Sequence, residues 1–180
     1  MNRGDLLEML VSSGALRFGD FTLASGKRSP YYIDIKKAIT RPEILRAIAA
    51  RMAPFATRAD RIAGVELGAV PIAAAVALET GKPYIMVRKE RKEHGTSLDF
   101  EGALDGGDRL LFVEDVVTTG GTLVKAIERT RGHGAEISDV VAVVDREEGG
   151  KEALAQIRVT LNALLTGAEL LRAAKSSAPH

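Results

Sequence analysis

The sequence predicts an α/β fold, with a mainly parallel twisted sheet flanked by helices. Three observations predict it. From Arg61 onward, apolar strand-like runs alternate with stretches of helical period, the pattern of βαβ units. The run Val140-Val141-Ala142-Val143-Val144 is apolar at every position, as a strand covered on both faces must be. The strand Leu110-Leu111-Phe112-Val113 runs into Glu114-Asp115 and then, through Val116-Val117, into Thr118-Thr119-Gly120-Gly121-Thr122 ahead of a helix. Ligands of open α/β sheets bind beyond the carboxyl ends of the strands, so the fold class also says where a site belongs.

The elements follow in order. Leu6, Leu7, Leu10 and Val11 recur at helical spacing, and Gly14 ends that helix. Leu16-Arg17-Phe18 and Phe21-Thr22-Leu23 flank Gly19-Asp20, which reads as a hairpin turn. Tyr31 to Ile35 is a strand. Thr40 is placed to cap a helix from Arg41-Pro42 to Phe55, with proline in its first turn. Then come a strand at Arg61 to Val65, a helix at Pro71 to Thr80 and a strand at Tyr84 to Val87. The polar stretch Lys89 to Gly107 is long for a connection, and such loops are functional or disordered as a rule. The strand Arg109 to Val113 precedes a helix at Thr122 to Gly132 and a strand at Ile137 to Val144. A helix at Glu152 to Gln156, a strand at Arg158 to Leu161 and a helix at Ala168 to Ala174 complete the pattern.

A length of 180 residues is one domain's worth, expected over 1–180, and buries a core without covalent staples. A net charge of +1 gives no global field to recruit nucleic acid or a membrane surface, so neither is expected as a partner. The absence of cysteine excludes thiol catalysis and cysteine-bound metals. Arg3, Asp5 and Glu8 do not read as part of a signal peptide. The apolar run from Ala69 to Leu78 is too short to span a bilayer and contains Pro71. A cytoplasmic location is the expectation.

The chemistry is concentrated in Glu114 to Thr122. An acidic pair alone reads as a solvated turn beside a helix cap. Joined to three threonines and two glycines in five positions, it reads differently. The acids can accept hydrogen bonds from sugar hydroxyls, and the small turn exposes backbone N–H groups that wrap a phosphate at a helix N-terminus. A second segment is Arg88-Lys89-Glu90-Arg91-Lys92-Glu93-His94-Gly95. Mixed charge runs are solvated faces in most proteins. This one directly follows a strand and opens the long glycine-containing loop, where basic residues suit a lid over a polyanion. Val65-Glu66-Leu67-Gly68-Ala69-Val70-Pro71 joins a strand to a helix, and Gly68 and Ala69 let the backbone approach a ligand. Arg146 ends the strand Ile137 to Val144, and its fork suits a carboxylate as a lysine does not.

Glu114 to Thr122 resembles the ribose-5-phosphate loop of the type I phosphoribosyltransferases, which use phosphoribosyl pyrophosphate (PRPP). Phe21-x-Leu23-x-Ser25-Gly26-x-x-Ser29-x-Tyr31-x-x-Asp34 and Arg88-Lys89-x-x-Lys92-x-His94-Gly95 resemble the N-terminal signature and catalytic loop of the orotate phosphoribosyltransferases within that group. The resemblance runs from Leu6 to Leu171. It implies the type I phosphoribosyltransferase fold, with a small hood from residues 1–35 and part of the C-terminus. It implies transfer of ribose 5-phosphate from PRPP to orotate, giving orotidine 5′-monophosphate and pyrophosphate in UMP biosynthesis. PRPP would be held by Arg88, Lys89, Lys92, His94, Glu114, Asp115, Val116, Val117, Thr118, Thr119, Gly120, Gly121 and Thr122. Orotate would be held by Thr118 and Arg146. Lys92, His94, Arg88 and Asp115 would carry catalysis, His94 as a proton donor or as a charge. Mg²⁺ would be held mainly through PRPP and water, with no direct protein ligand. The resemblance further implies a homodimer in which the lid of one subunit serves the site of the other. Relatives carry a lysine where this chain has Ala24, with Lys27 nearby, and some carry one in the segment here occupied by Glu66 to Ala69. A phosphoribosyltransferase for another base, or a PRPP-binding regulator of the same fold, are the alternative readings.

Overall fold

A sheet covered on both faces needs strands whose alternate side chains belong to different cores, and the sequence supplies them. The computed structural model describes residues 3–22, 26, 28–90 and 99–176. Helix α1 (Arg3–Ser12) leads to strands β1 (Leu16–Thr22) and β2 (Arg28–Ile33), then to α2 (Ile35–Ala38), α3 (Pro42–Met52) and a 3-10 turn (Ala53–Arg58). Next come β3 (Arg61–Val65), α4 (Ala69–Thr80), β4 (Tyr84–Val87), β5 (Phe100–Glu101) and β6 (Arg109–Val117). The chain finishes with α5 (Gly121–Gly132), β7 (Glu136–Asp145), α6 (Gly150–Gln156), β8 (Thr160–Thr166) and α7 (Gly167–Ser176).

Six strands form one sheet in the order β5-β4-β3-β6-β7-β8, and β1 and β2 form a separate antiparallel hairpin. All pairings in the large sheet are parallel except β4 with β5. Leu111, Val113, Val141 and Val143 pack with Ile62 against α1, α3, α4 and α7. Their neighbours Leu110, Phe112, Val140 and Ala142 pack on the other face against Leu123, Ala126 and Ile127 of α5 and Leu154 of α6. From β3 the chain proceeds outward to β4 on one side, then returns to β6 on the other. That reversal creates a crevice between the carboxyl ends of β3 and β6.

Several boundaries differ from the sequence-based expectation. Gly19-Asp20 is not a turn. β1 runs through it, with a register shift between Phe18 and Phe21, and the hairpin reverses between Thr22 and Arg28. The strand expected to Ile35 stops at Ile33, because Asp34 caps α2 by accepting a hydrogen bond from the Lys37 N–H (3.2 Å). Thr40 caps nothing; its hydroxyl donates to the Lys37 carbonyl (2.7 Å), and α3 starts after Arg41 and ends at Met52. The last strand lies later than Arg158 to Leu161, as Arg158 takes a left-handed conformation (φ 58°) in the turn before β8. No helix among the described residues is long and apolar enough to cross a membrane.

Candidate active site

The acid pair sits inside β6 rather than after it. The strand expected to end at Val113 continues to Val117, since β7 goes on pairing with it at Glu114, Val116 and Val117. On the opposite edge, the pairing with β3 runs only to Gly64 and Val113. Glu114 and Asp115 therefore project into the crevice where β3 has turned away. The Asp115 carboxylate lies against Gly68, at which a Cβ would fall 2.2 Å from its Oδ2. Only glycine allows the 66–69 turn to pass this close to the acid.

The two acids are crowded together. Glu114 accepts a hydrogen bond from the Asp115 N–H (2.9 Å), and Asp115 accepts one from the Val116 N–H (2.8 Å). Loss of water, then the Asp115 charge and a hydrogen bond between the two side chains, pushes the Glu114 carboxyl well above the usual range. Lys36 of α2 faces the pair, its Nζ 3.6 Å from Asp115 Oδ2. These residues line a cleft of about 490 Å³ with Glu66, Leu67, Gly68, Lys89 and Thr122.

Thr122 also lines the adjoining hollow formed by Val117 to Leu123 and Lys125, so the acids and the threonine–glycine turn open onto one another. Gly120 caps α5 in a left-handed conformation (φ 77°), and no side chain satisfies the helix start. Its backbone N–H groups are presented to an anion. A Cβ at Gly150 would fall 2.3 Å from a Val117 methyl and 2.9 Å from the Thr118 carbonyl oxygen, so the turn rests on bare backbone.

Arg88 and Lys89 lie at the carboxyl end of β4. Arg88 pairs with Glu101 of β5, and the Lys89 N–H donates to Glu66 (3.0 Å), which ties the 66–69 turn to the start of the basic segment. Arg129 of α5 donates to the Arg88 carbonyl (2.5 Å). The Arg88 N–H donates to the Asp99 carbonyl (2.9 Å), and the Asp99 carboxylate meets His133 (2.9 Å) and Arg129 (3.4 Å). His133 in turn meets the Phe100 ring edge-on. The two segments flanking 91–98 are thus clamped to one helix. Lys92 and His94, as well as Ala24 and Lys27, lie outside the described residues.

Arg146 is buried beneath the hairpin. Its Nε donates to Glu148 (2.8 Å), its Nη2 to the Ser29 hydroxyl (3.3 Å), and its guanidinium lies 4.5 Å from the centre of the Tyr31 ring. The hairpin signature and the arginine, far apart in sequence, meet at one place. Lys36, Arg129 and His133 are site neighbours that sequence reasoning missed. The Lys-Lys step after Asp34 is a signal for the first; nothing local marks the other two.

The family profile of the phosphoribosyl transferase domain matches residues 37–166. An orotate phosphoribosyltransferase of Methanospirillum hungatei is 51% identical over 92% of this chain and 96% of its own length. The chain belongs to the phosphoribosyltransferase family, among the orotate phosphoribosyltransferases. Solved structures in the same family agree. The orotate phosphoribosyltransferase of Aeropyrum pernix superposes with a TM-score of 0.86 at 34% identity, over 96% of this chain and 99% of that one. UMP synthase of Leishmania donovani superposes with a TM-score of 0.85 at 37% identity over 96% of this chain, which spans 38% of the length of that protein.

Among the described residues no group of three or more histidine or acidic side chains is arranged to hold a metal. Glu114 and Asp115 are oxygen donors of the kind a magnesium ion takes, and two acids alone are too few to fill its coordination.

Proposed function

We propose that this protein transfers the ribose 5-phosphate of PRPP to orotate, giving orotidine 5′-monophosphate and pyrophosphate, a step towards UMP. The observation that carries the reading is the meeting, in one crevice, of the Glu114–Asp115 pair, the Thr118–Thr122 turn and the basic start at Arg88 and Lys89. The turn takes the 5-phosphate on the N–H groups of Thr118 to Thr122 and on its threonine hydroxyls. Glu114 and Asp115 accept hydrogen bonds from the ribose 2′ and 3′ hydroxyls. Arg88 and Lys89, with Lys92 and His94, neutralise the charge that grows on pyrophosphate as its bond to C1′ breaks. N1 of orotate takes that place on C1′, and its proton passes to the departing pyrophosphate or to solvent. Positioning and charge stabilisation do the work, since the protein forms no covalent bond. Glu114 and Asp115 would help hold a magnesium ion bound mainly through PRPP and water, which would supply charge neutralisation at the leaving group.

Arg146 recognises the base carboxylate. Its Nε is committed to Glu148, its Nη2 donates to the Ser29 hydroxyl, and Tyr31 lies against the guanidinium, so Nη1 is the nitrogen left for a ligand. Thr118 is the second base contact. Residues 1–35 and the C-terminal helix form a hood within one domain; α7 packing in the same core as Ile33 and Tyr31 supports this.

PRPP-dependent loss of orotate absorbance is the expected result of an assay with Mg²⁺. Turnover of uracil or adenine in place of orotate would overturn the reading. The same reading makes the protein a cytoplasmic homodimer with a lid shared between subunits. Mixed Asp115→Asn and Lys92→Ala subunits then regain part of the activity that each lacks alone. No recovery, with subunit exchange demonstrated, places the lid in its own subunit.

A further inference from the structure

The crevice between β3 and β6 holds three acids, Glu66, Glu114 and Asp115, and only two described cations, Lys36 and Lys89. A polyanion seated there needs positive charge close at hand. The turn from Glu66 to Ala69 brings none of its own, and what Lys89 is seen to offer that turn is its backbone N–H. Lys36 is placed otherwise. Ile35 and Ala38, both fully buried, fix α2 in the core, and Asp34 caps it. The lysine between them is sent towards the crevice with its side chain 49% exposed. Its Nζ pairs with Asp115 Oδ2 at 3.6 Å, and one such contact leaves two of the ammonium's three donors for a ligand. Burial alone would lower the pKa of this amine; the charges of Asp115, Tyr32 and Asp34 outweigh it and hold the pKa above the ordinary value. Lys36 is a charged, half-solvated donor beside a turn that lacks one.

We infer that Lys36 is a pyrophosphate-binding residue, contacting the pyrophosphate of PRPP across the Glu66–Ala69 turn and supplying the charge that turn does not carry. The inference rests on the PRPP reading above and is separable from it by experiment. Inorganic pyrophosphate, ribose 5-phosphate and PRPP are titrated separately, with Mg²⁺, into the full chain and into Lys36→Ala and Lys36→Arg. Lys36→Ala is expected to weaken pyrophosphate and PRPP about tenfold or more, the scale of one charge-assisted hydrogen bond, with ribose 5-phosphate little changed. Lys36→Arg is expected to restore most of the loss. Unchanged pyrophosphate binding by Lys36→Ala overturns the inference. So does a loss confined to ribose 5-phosphate, which is what a residue acting only through Asp115 would give. A wild-type chain that binds neither PRPP nor pyrophosphate overturns the PRPP reading itself.

Discussion

At the amino ends of β3 and β6, acids are matched to arginines; towards the carboxyl end of β6, the acids Glu114 and Asp115 are packed against each other. Asp60 takes two hydrogen bonds from the Arg109 guanidinium and a third from its N–H, at 2.9 to 3.0 Å. Arg61 spans Asp105 (2.7 Å) and Asp108 (2.5 Å). Hydrogen bonds from these arginines hold the Asp60 and Asp108 carboxyls below the usual range. Across the sheet, Glu114 goes the other way, with Asp115 at its side and Lys36 as the nearest cation to the pair. A hollow of about 220 Å³ also opens at the amino ends, but no glycine turn lines it. Charge that is already compensated stabilises the fold; charge left uncompensated is available to a ligand.

The largest expected effect breaks the carboxyl end alone. Asp115→Asn should lower kcat/KM for PRPP about a hundredfold or more, the scale of one preorganised electrostatic contact. Its melting temperature should not fall, because the substitution relieves the repulsion with Glu114. Activity within a few-fold of wild type would remove Asp115 from the site. Next in size, Arg129→Ala should raise KM for PRPP by about tenfold, since it takes a charged donor from the Arg88 carbonyl and the paired charge from the Asp99 carboxylate. Arg129→Lys should not rescue it, because one ammonium cannot span both partners. An unchanged KM would make the clamp purely structural.

The smallest effects appear in the pH dependence of stability, where the two ends take opposite signs. The Glu114 pKa is raised in the folded state, so stability falls as pH rises from about 4.3, the unfolded glutamate value, up to the folded value. Glu114→Gln should remove that fall, and the gap in melting temperature between it and wild type should widen with rising pH. The Asp108 pKa is depressed, so its contribution is present above about 3.9 and is lost as pH drops through the folded value. Asp108→Asn should lower the melting temperature near neutrality, leave turnover intact, and converge with wild type in acid. A loss of turnover in Asp108→Asn would deny that the two ends are independent.

The sequence was most legible where local pattern and tertiary pairing agree. β3 and β4 fall on the residues expected, Arg61–Val65 and Tyr84–Val87, because each apolar run is bounded by polar or turn-forming positions. β6 was read short because its carboxylates look like an ending; only the ladder to β7 shows the strand continuing. α2 was invisible, since four residues after Tyr-Tyr-Ile carry no period and a single aspartate cap decides their conformation. β5 lies in a polar stretch and exists through its register with Met86 and Val87. Within the site, the acids, the turn and Arg146 were legible as motifs. Lys36, Arg129 and His133 were not, because folding rather than spacing brings them to their partners.

One consequence concerns α5. The helix begins at the phosphate-sized turn, and about 12 Å further along its axis Arg129 grips the chain on either side of the basic segment. Phosphate turn and clamp are therefore held at a fixed separation and a fixed angular phase. Inserting one residue between Leu123 and Glu128 would swing Arg129 by about 100° around the axis while leaving the turn in place. Under the proposed function such a change should spare the grip on ribose 5-phosphate and weaken that on PRPP, which would make the length of this helix part of the recognition of the longer ligand.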